Sequence, residues 1–305
     1  MNKPRRAPRR QVDGVLLLDK STGMTSNTAL QVARRLFNAE KAGHTGTLDP
    51  LATGLLPLCF GEATKFAGEL LAADKTYRAI LRLGVTTDTA DAEGQVLLTR
   101  PVAVAAADFE AALPRFRGEI EQVPPMYSAL KRAGRPLYEY ARQGIELERA
   151  PRRVTIHDLR LLDFAGDMAE IDVSCSKGTY IRTLAADIGE ALGCGAHLTA
   201  LRRTRIGDLA VAAAMTLERL EAMSPDGRDT CLAVADALVA QLPRADLAEN
   251  EVARILHGQA VRWIGQAGER WRLYGDERFL GVASVTADGW LQPKRLLAAS
   301  TAASS

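Results

Sequence analysis

Cysteine, lysine and aromatic residues are all scarce in this chain of 305 residues, and each shortage excludes something. The four cysteines (Cys59, Cys175, Cys194, Cys231) lie far apart and never form a C-x-x-C pair, which argues against a zinc ribbon and a disulfide framework. They read as reduced thiols of a cytosolic protein. No apolar run approaches the roughly 18 residues needed to span a bilayer, and Val15–Leu18 is too short for a signal-peptide core. A cytoplasmic location is therefore expected. The four histidines (His44, His157, His197, His257) are scattered, with none at metal-ligand spacing. No G-x-x-x-x-G-K-[ST], G-x-G-x-x-G or G-x-S-x-G pattern occurs, so phosphate-cradling loops and the hydrolase elbow are missing.

What remains is an ordinary globular composition, 47% hydrophobic and 25% charged, with a net charge of +2. At roughly 150 residues per domain the length suggests two domains. Only 8 of the 39 basic residues are Lys; 31 are Arg, the side chain best shaped for bidentate phosphate contacts. Genome-wide codon bias produces the same excess, so both readings stand.

Residues 1–10 are basic and Pro-rich and are expected to be disordered. A strand is predicted at Val12–Leu18, then a helix capped by Ser26 or Asn27 and running to Phe37. Thr76–Leu83 alternates as a strand ended by Gly84, Ala103–Phe116 has helical composition, and Leu159–Phe164 pairs with Ala169–Cys175 around Gly166-Asp167. Tyr180–Leu192 has a helical apolar period stopped by Gly193, and Met223–Asp229, with its Ser-Pro-Asp-Gly, reads as a loop. Beyond Pro243–Glu249 a short helix, Glu251–His257, precedes several short strands that suit a small β-barrel. The tail 298–305 is low-complexity and expected to be disordered.

The richest segment is Gly43-His44-Thr45-Gly46-Thr47-Leu48-Asp49-Pro50, continuing through Gly54 to Pro57. Its glycines permit tight turns and Pro50 restricts Asp49 to extended backbone, so one carboxylate is presented in rigid surroundings. Such an Asp serves catalysis or merely caps a backbone amide. Tyr77, opening a strand in Lys75-Thr76-Tyr77-Arg78, can stack on a base or fill a core face. Arg182 lies at a predicted helix start, where it can hold a carboxylate or phosphate, or form an ordinary exposed ion pair. After Pro124–Lys131, residues Lys131–Arg160 carry eight Arg or Lys against four acids, a solvated face that also suits an RNA backbone. Arg202–Arg205 reads as a further basic surface, and Asp88, Asp91 and Glu93 as a solvated turn resembling a calcium-loop fragment without its register.

Several of these segments together resemble the TruB family of tRNA pseudouridine synthases: Gly14–Ser21, Gly43–Gly61, Lys75–Tyr77, Pro124–Lys131, Gly178–Arg182 and Leu201–Gly207. The G-H-T-G-T-L-D-P-x-A-x-G-x-L pattern is highly specific, and the likeness runs in order over about residues 11 to 297. It implies isomerisation of uridine 55 (tRNA numbering) in the T-loop to pseudouridine, with no cofactor and no metal. It implies Asp49 as the nucleophile, Arg182 paired with it, and Tyr77 stacked on a flipped base. His44 is then expected to help displace that base, Tyr180 and Leu201 to line the pocket, and Lys20 and Lys65 to sit near it.

The chemistry agrees with those roles. A carboxylate suits a cationic sugar centre, and a single one suffices where no water attacks. An ionised Asp49 needs a neighbouring cation, which accounts for Arg182. The implied fold is a mixed α+β pseudouridine synthase domain on a largely antiparallel sheet over 11–247, with a PUA-like β-barrel over 248–297. The implied partner is the tRNA T-arm, with no membrane, no protein partner and a monomer as the default. A non-catalytic tRNA-binding or RNA-folding module is the rival reading, and a hydrolase releasing free uracil a more distant one.

Overall fold

The computed structural model describes residues 8–298, so the expected disorder of 1–7 and 299–305 lies outside the described residues. In chain order the first part contains β1 (Gly14–Lys20), β2 (Ala42–His44), β3 (Thr53–Phe60), β4 (Lys75–Leu83), β5 (Val85–Thr87), β6 (Val96–Thr99) and β7 (Gly118–Gln122). It continues with β8 (Lys131–Arg132), β9 (Arg135–Pro136), β10 (Arg152–Ala165), β11 (Met168–Cys175), β12 (Ala196–Ile206) and β13 (Leu209–Ala210). A nine-stranded sheet runs β1-β3-β12-β4-β11-β10-β7, with β2 beside β3 and β13 beside β12. Every pairing in it is antiparallel except β12 with β3. The expected mixed fold on a largely antiparallel sheet is what the chain adopts.

That lone parallel contact matters for the site, because β12 and β3 meet only at Arg202–Thr53 and Arg203–Gly54. Gly54 has a left-handed backbone, and a Cβ there would lie 2.3 Å from the Arg203 carbonyl oxygen. Only glycine lets the loop after Asp49 reach the centre of the sheet.

Apolar faces of helices Ser26–Leu36 and Ile181–Ala191 cover the sheet. Ala29, Leu30 and Ala33 meet Leu16, Leu18, Leu56 and Leu58 in one buried cluster, while Leu184, Ala185 and Ile188 meet Leu81, Ile171 and Val173 in another. The first helix is capped by Thr25, whose hydroxyl accepts from the Thr28 amide at 3.0 Å, rather than by Ser26 or Asn27. Ser26 is committed elsewhere: its hydroxyl accepts from the Leu48 amide at 2.8 Å and contacts the Leu48 carbonyl at 3.1 Å. The predicted loop at 223–229 also contains a short helix, Pro225–Asp229, because Ser224 caps it and Pro225 fits its first position. Arg10 belongs to the folded body, with its guanidinium 2.6 Å from Asp229 and its amide donating to the Asn38 carbonyl.

The C-terminal part is a second, five-stranded sheet in the order β14-β16-β17-β18-β15, formed by β14 (Arg244–Asp246), β15 (Val261–Arg262), β16 (Arg270–Gly275), β17 (Arg278–Val285) and β18 (Trp290–Leu296). Its first strand lies ahead of Ala248, pairing in parallel with β16. Phe279, Tyr274 and Val282 from this sheet share a buried cluster with Phe66, Leu70 and Leu238 of the first part. Among the described residues, no helix is long and apolar enough to cross a membrane.

Candidate active site

Asp49 sits in the irregular segment between β2 and β3, held on several sides. Ser26 clamps Leu48, the Gly23 amide and the Lys20 ammonium donate to the Pro50 carbonyl, and the Ala52 amide closes a turn onto the Asp49 carbonyl. The carboxylate keeps 41% exposure, facing a cleft, and its Oδ2 lies 3.1 Å from Arg182 Nε. Its role is thus not that of an amide cap.

Arg182, at the second position of its helix, is nearly fully buried, which removes the alternative of an exposed ion pair. It donates to the carbonyls of Thr89 (3.1 Å) and Tyr127 (2.7 Å), and its Nη1 lies 3.4 Å from Asp91 Oδ2. Asp91 is only 2% exposed and accepts from the Thr89 hydroxyl and the Glu93 amide. The solvated turn expected for Asp88, Asp91 and Glu93 is therefore corrected at Asp91. The buried guanidinium thus faces two carboxylates, the half-open Asp49 and the sealed Asp91, and the second keeps its charge compensated inside the fold.

The Asp49 carboxyl is pushed above its usual range, first by burial, then by Asp91; Arg182 and Lys20 pull it back down. Lys20 is fully buried, donating to the carbonyls of Ser21 (2.9 Å) and Met24 (2.8 Å), and burial drops its pKa to about 8. It stays mostly cationic at neutral pH.

Two cavities meet at this pair. One, of about 240 Å³, is lined by Asp49, Tyr77, Tyr180, Arg182, Leu201 and Arg203 among others. The other, of about 670 Å³, is lined by Asp49, His44, Asp91, Tyr127, Tyr138 and Arg142 among others. Burial holds His44 below its usual pKa, so it is neutral at pH 7. Tyr180 is fixed by Gln122, whose side-chain oxygen accepts from the Tyr180 amide at 3.0 Å and whose side-chain amide reaches the Tyr180 carbonyl at 3.3 Å. Arg142, from the basic stretch, lies over the Tyr138 ring at 5.4 Å.

The cleft thus gathers Asp49, His44, Tyr77, Tyr180, Leu201 and Arg182; Lys20 is buried behind it with its ammonium on backbone carbonyls, and Lys65 lies elsewhere. Lys65 pairs with Glu62 and donates to the Leu296 carbonyl at 3.0 Å, bracing the C-terminal sheet. The Arg202–Arg205 surface is also corrected, since Arg202 forks onto Asp19 (2.7 and 3.0 Å) and Arg203 is buried. Sequence reading missed Asp91, Gln122 and Arg203. The strand period was a usable signal for the last, because Leu201 and Arg203, two apart, share one face.

Three family models follow one another along residues 34–297: TruB family pseudouridylate synthase (N terminal domain) over 34–181, tRNA pseudouridylate synthase B C-terminal domain over 182–240, and Pseudouridine synthase II TruB, C-terminal over 243–297. The chain is 61% identical to the tRNA pseudouridine synthase B of Azoarcus sp. (strain BH72), covering 97% of this chain and 99% of that one. It is 58% identical to the protein of the same name from Dechloromonas aromatica (strain RCB), over 94% and 96%. Among solved structures it is similar to a chain of a Cbf5-Nop10-Gar1 complex, with a TM-score of 0.72 and 25% identity over 93% of this chain and 84% of that chain. A chain of an H/ACA RNP bound to a substrate RNA containing 2'-deoxyuridine shares the fold at the same TM-score and 23% identity. On sequence identity over nearly its whole length, and with its fold in agreement, the chain belongs to the TruB family of pseudouridine synthases.

Proposed function

We propose that this protein is an isomerase that converts uridine to pseudouridine in tRNA, acting at position 55 of the T-loop as a cytoplasmic monomer and needing no cofactor. The observation that carries this reading is the Asp49–Arg182 pair, a rigidly held carboxylate beside a buried cation at the junction of two cavities.

The smaller cavity is of a size to hold one pyrimidine, and membership of the TruB family supports uridine isomerisation as the chemistry there. The target base leaves its stack at a cost of a few kcal/mol, offset in part by stacking between the Tyr77 ring and Leu201. Neutral His44, on the outer cavity, is placed to fill the space the base vacates. Asp49, held ionised by Arg182 and Lys20, attends the sugar as the glycosidic bond breaks. A base seated between Tyr77 and Leu201 covers Asp49 and leaves little room for the water that would divert the reaction to hydrolysis. Tyr138 and Arg142 extend the outer cavity with an aromatic and a cation, a surface suited to the RNA backbone.

An unmodified tRNA transcript incubated with the protein alone and digested to nucleosides tests the proposal. Pseudouridine at the T-loop position is expected, and Asp49→Asn should abolish it while leaving tRNA binding within about threefold. Binding without pseudouridine leaves an RNA-binding module instead, and released uracil a hydrolase.

A further inference from the structure

Two cations lining the smaller cavity, Lys75 and Arg203, have no part in the scheme above; Lys75 donates to the carbonyls of Leu71 and Ala73, and Arg203 is the more deeply buried. It lines that cavity with Asp49, Tyr77 and Leu201, yet only 2% of it is exposed. Its Nε donates to the Leu55 carbonyl at 2.8 Å, while Nη2 is fully enclosed with no hydrogen-bond partner among the described residues. Asp49 is paired with Arg182, and no ion pair within 4.0 Å reaches Arg203 among the described residues. Its charge is felt all round the pocket: burial first, and Arg203 next, lowers Lys75 to about 8, and Arg203 is the largest influence opposing the burial that raises Tyr77. A buried, unmatched guanidinium is costly, and hydrophobic replacement of such charges is often stabilising. The fold keeps it where a base is to sit.

We propose that Arg203 is a substrate-contacting cation of the base pocket, left without a carboxylate partner in the free protein so that it meets negative charge arising on the uracil ring. This rests on the isomerase reading. In that reaction the C1′–N1 bond breaks with its electron pair left on the base, and the detached ring is an anion. The ring rotates, its electrons form the C1′–C5 bond, the C5 proton leaves and N1 takes up a proton, so the change is redox-neutral. A fixed cation at the cavity wall stabilises that anion more than it stabilises the neutral uridine, which is the condition for raising a rate.

The test compares Arg203→Gln and Arg203→Lys with wild-type protein already shown to form pseudouridine, so that failure of the isomerase reading registers separately. Under saturating single-turnover conditions the Gln variant is expected to lose about 100-fold in rate, as when a preorganised donor is removed from a transition state. Its tRNA Kd should stay within about threefold, its salt slope should not change, and its melting temperature should hold or rise. The Lys variant should recover part of the rate. A wild-type rate in the Gln variant overturns the proposal. So does a weaker Kd whose salt slope falls by about one at an undiminished saturated rate, because that is a phosphate contact. A melting temperature that drops in step with the rate in both variants makes Arg203 structural and also overturns it.

Discussion

Arginine–carboxylate pairs hold both the cleft at Asp49 and the joint to the C-terminal sheet, but the two are built differently. In the cleft Arg182 and Asp91 are almost sealed, with 6% and 3% of their side chains exposed. At the joint Arg270 forks onto Glu69 at 2.6 and 2.7 Å, and 39% of the arginine side chain remains in solvent. A surface pair is worth about 0–1 kcal/mol and is screened by salt. A buried pair costs desolvation to form, and breaking it strands a charge at about 3–5 kcal/mol. The same two side-chain types therefore serve as fixed machinery in one place and as an adjustable tether in the other.

The largest expected effect comes from breaking the sealed pair. Asp91→Asn leaves Arg182 with the half-open Asp49 and two carbonyls, and should destabilise the protein by about 3 kcal/mol in denaturant unfolding. The single-turnover rate should fall about 100-fold with little change in tRNA affinity, because a misplaced guanidinium affects the reacting groups more than the binding surface. An unaltered rate would mean that the carbonyls of Thr89 and Tyr127 position Arg182 without Asp91.

The pH profile sharpens the same contrast. The proposed role needs Asp49 ionised, and its pKa lies above the usual carboxylate range, so the rate should rise with pH through that raised value and fall in acid. Arg182 is the main influence holding the value down. Arg182→Gln should therefore move the acid limb to higher pH, on top of a lower plateau. A limb that stays put in this variant, read from single-turnover rates against pH, would show that Arg182 does not set the charge of Asp49.

Four strands of the central sheet (β1, β4, β10 and β11) and the Asp49 loop were legible in the sequence because they rest on local signals: alternation in β4, a glycine turn between β10 and β11, and a dense Gly-Pro pattern around one carboxylate; β12, at the centre of the sheet, carried no such signal. Asp91 was not legible, because its burial depends on Arg182, 91 positions away, and an isolated T-D-T-A-D-A-E-G turn looks solvated. Ser26 was misread for a related reason: its hydroxyl serves Leu48 across the fold rather than its own helix. Lys65 shows the converse error, since the family resemblance implied a place near the cleft while β3 carries it away to the other end.

At the joint the effects should be small. Glu69→Gln breaks the fork to Arg270 and is expected to lower stability by less than about 1 kcal/mol, with the difference shrinking at high salt. Pseudouridine formation should not change. A loss above about 2 kcal/mol would place this pair in the same class as Arg182–Asp91.

The smallest effect belongs to Lys65. Its ammonium pairs with Glu62 and reaches the Leu296 carbonyl, and the Glu62 carboxylate in turn accepts from the Ala298 amide, so the two charges staple the end of β18 to the first part. Both side chains are about a third exposed, so the ion pair itself is worth at most about 1 kcal/mol. Lys65→Met keeps most of the aliphatic stem that packs there and removes only the staple. The saturated single-turnover rate should match wild type, and amide exchange near Leu296 should quicken as the strand end frays. A rate loss without faster exchange would return Lys65 to the cleft chemistry, from which its position at the second sheet now separates it.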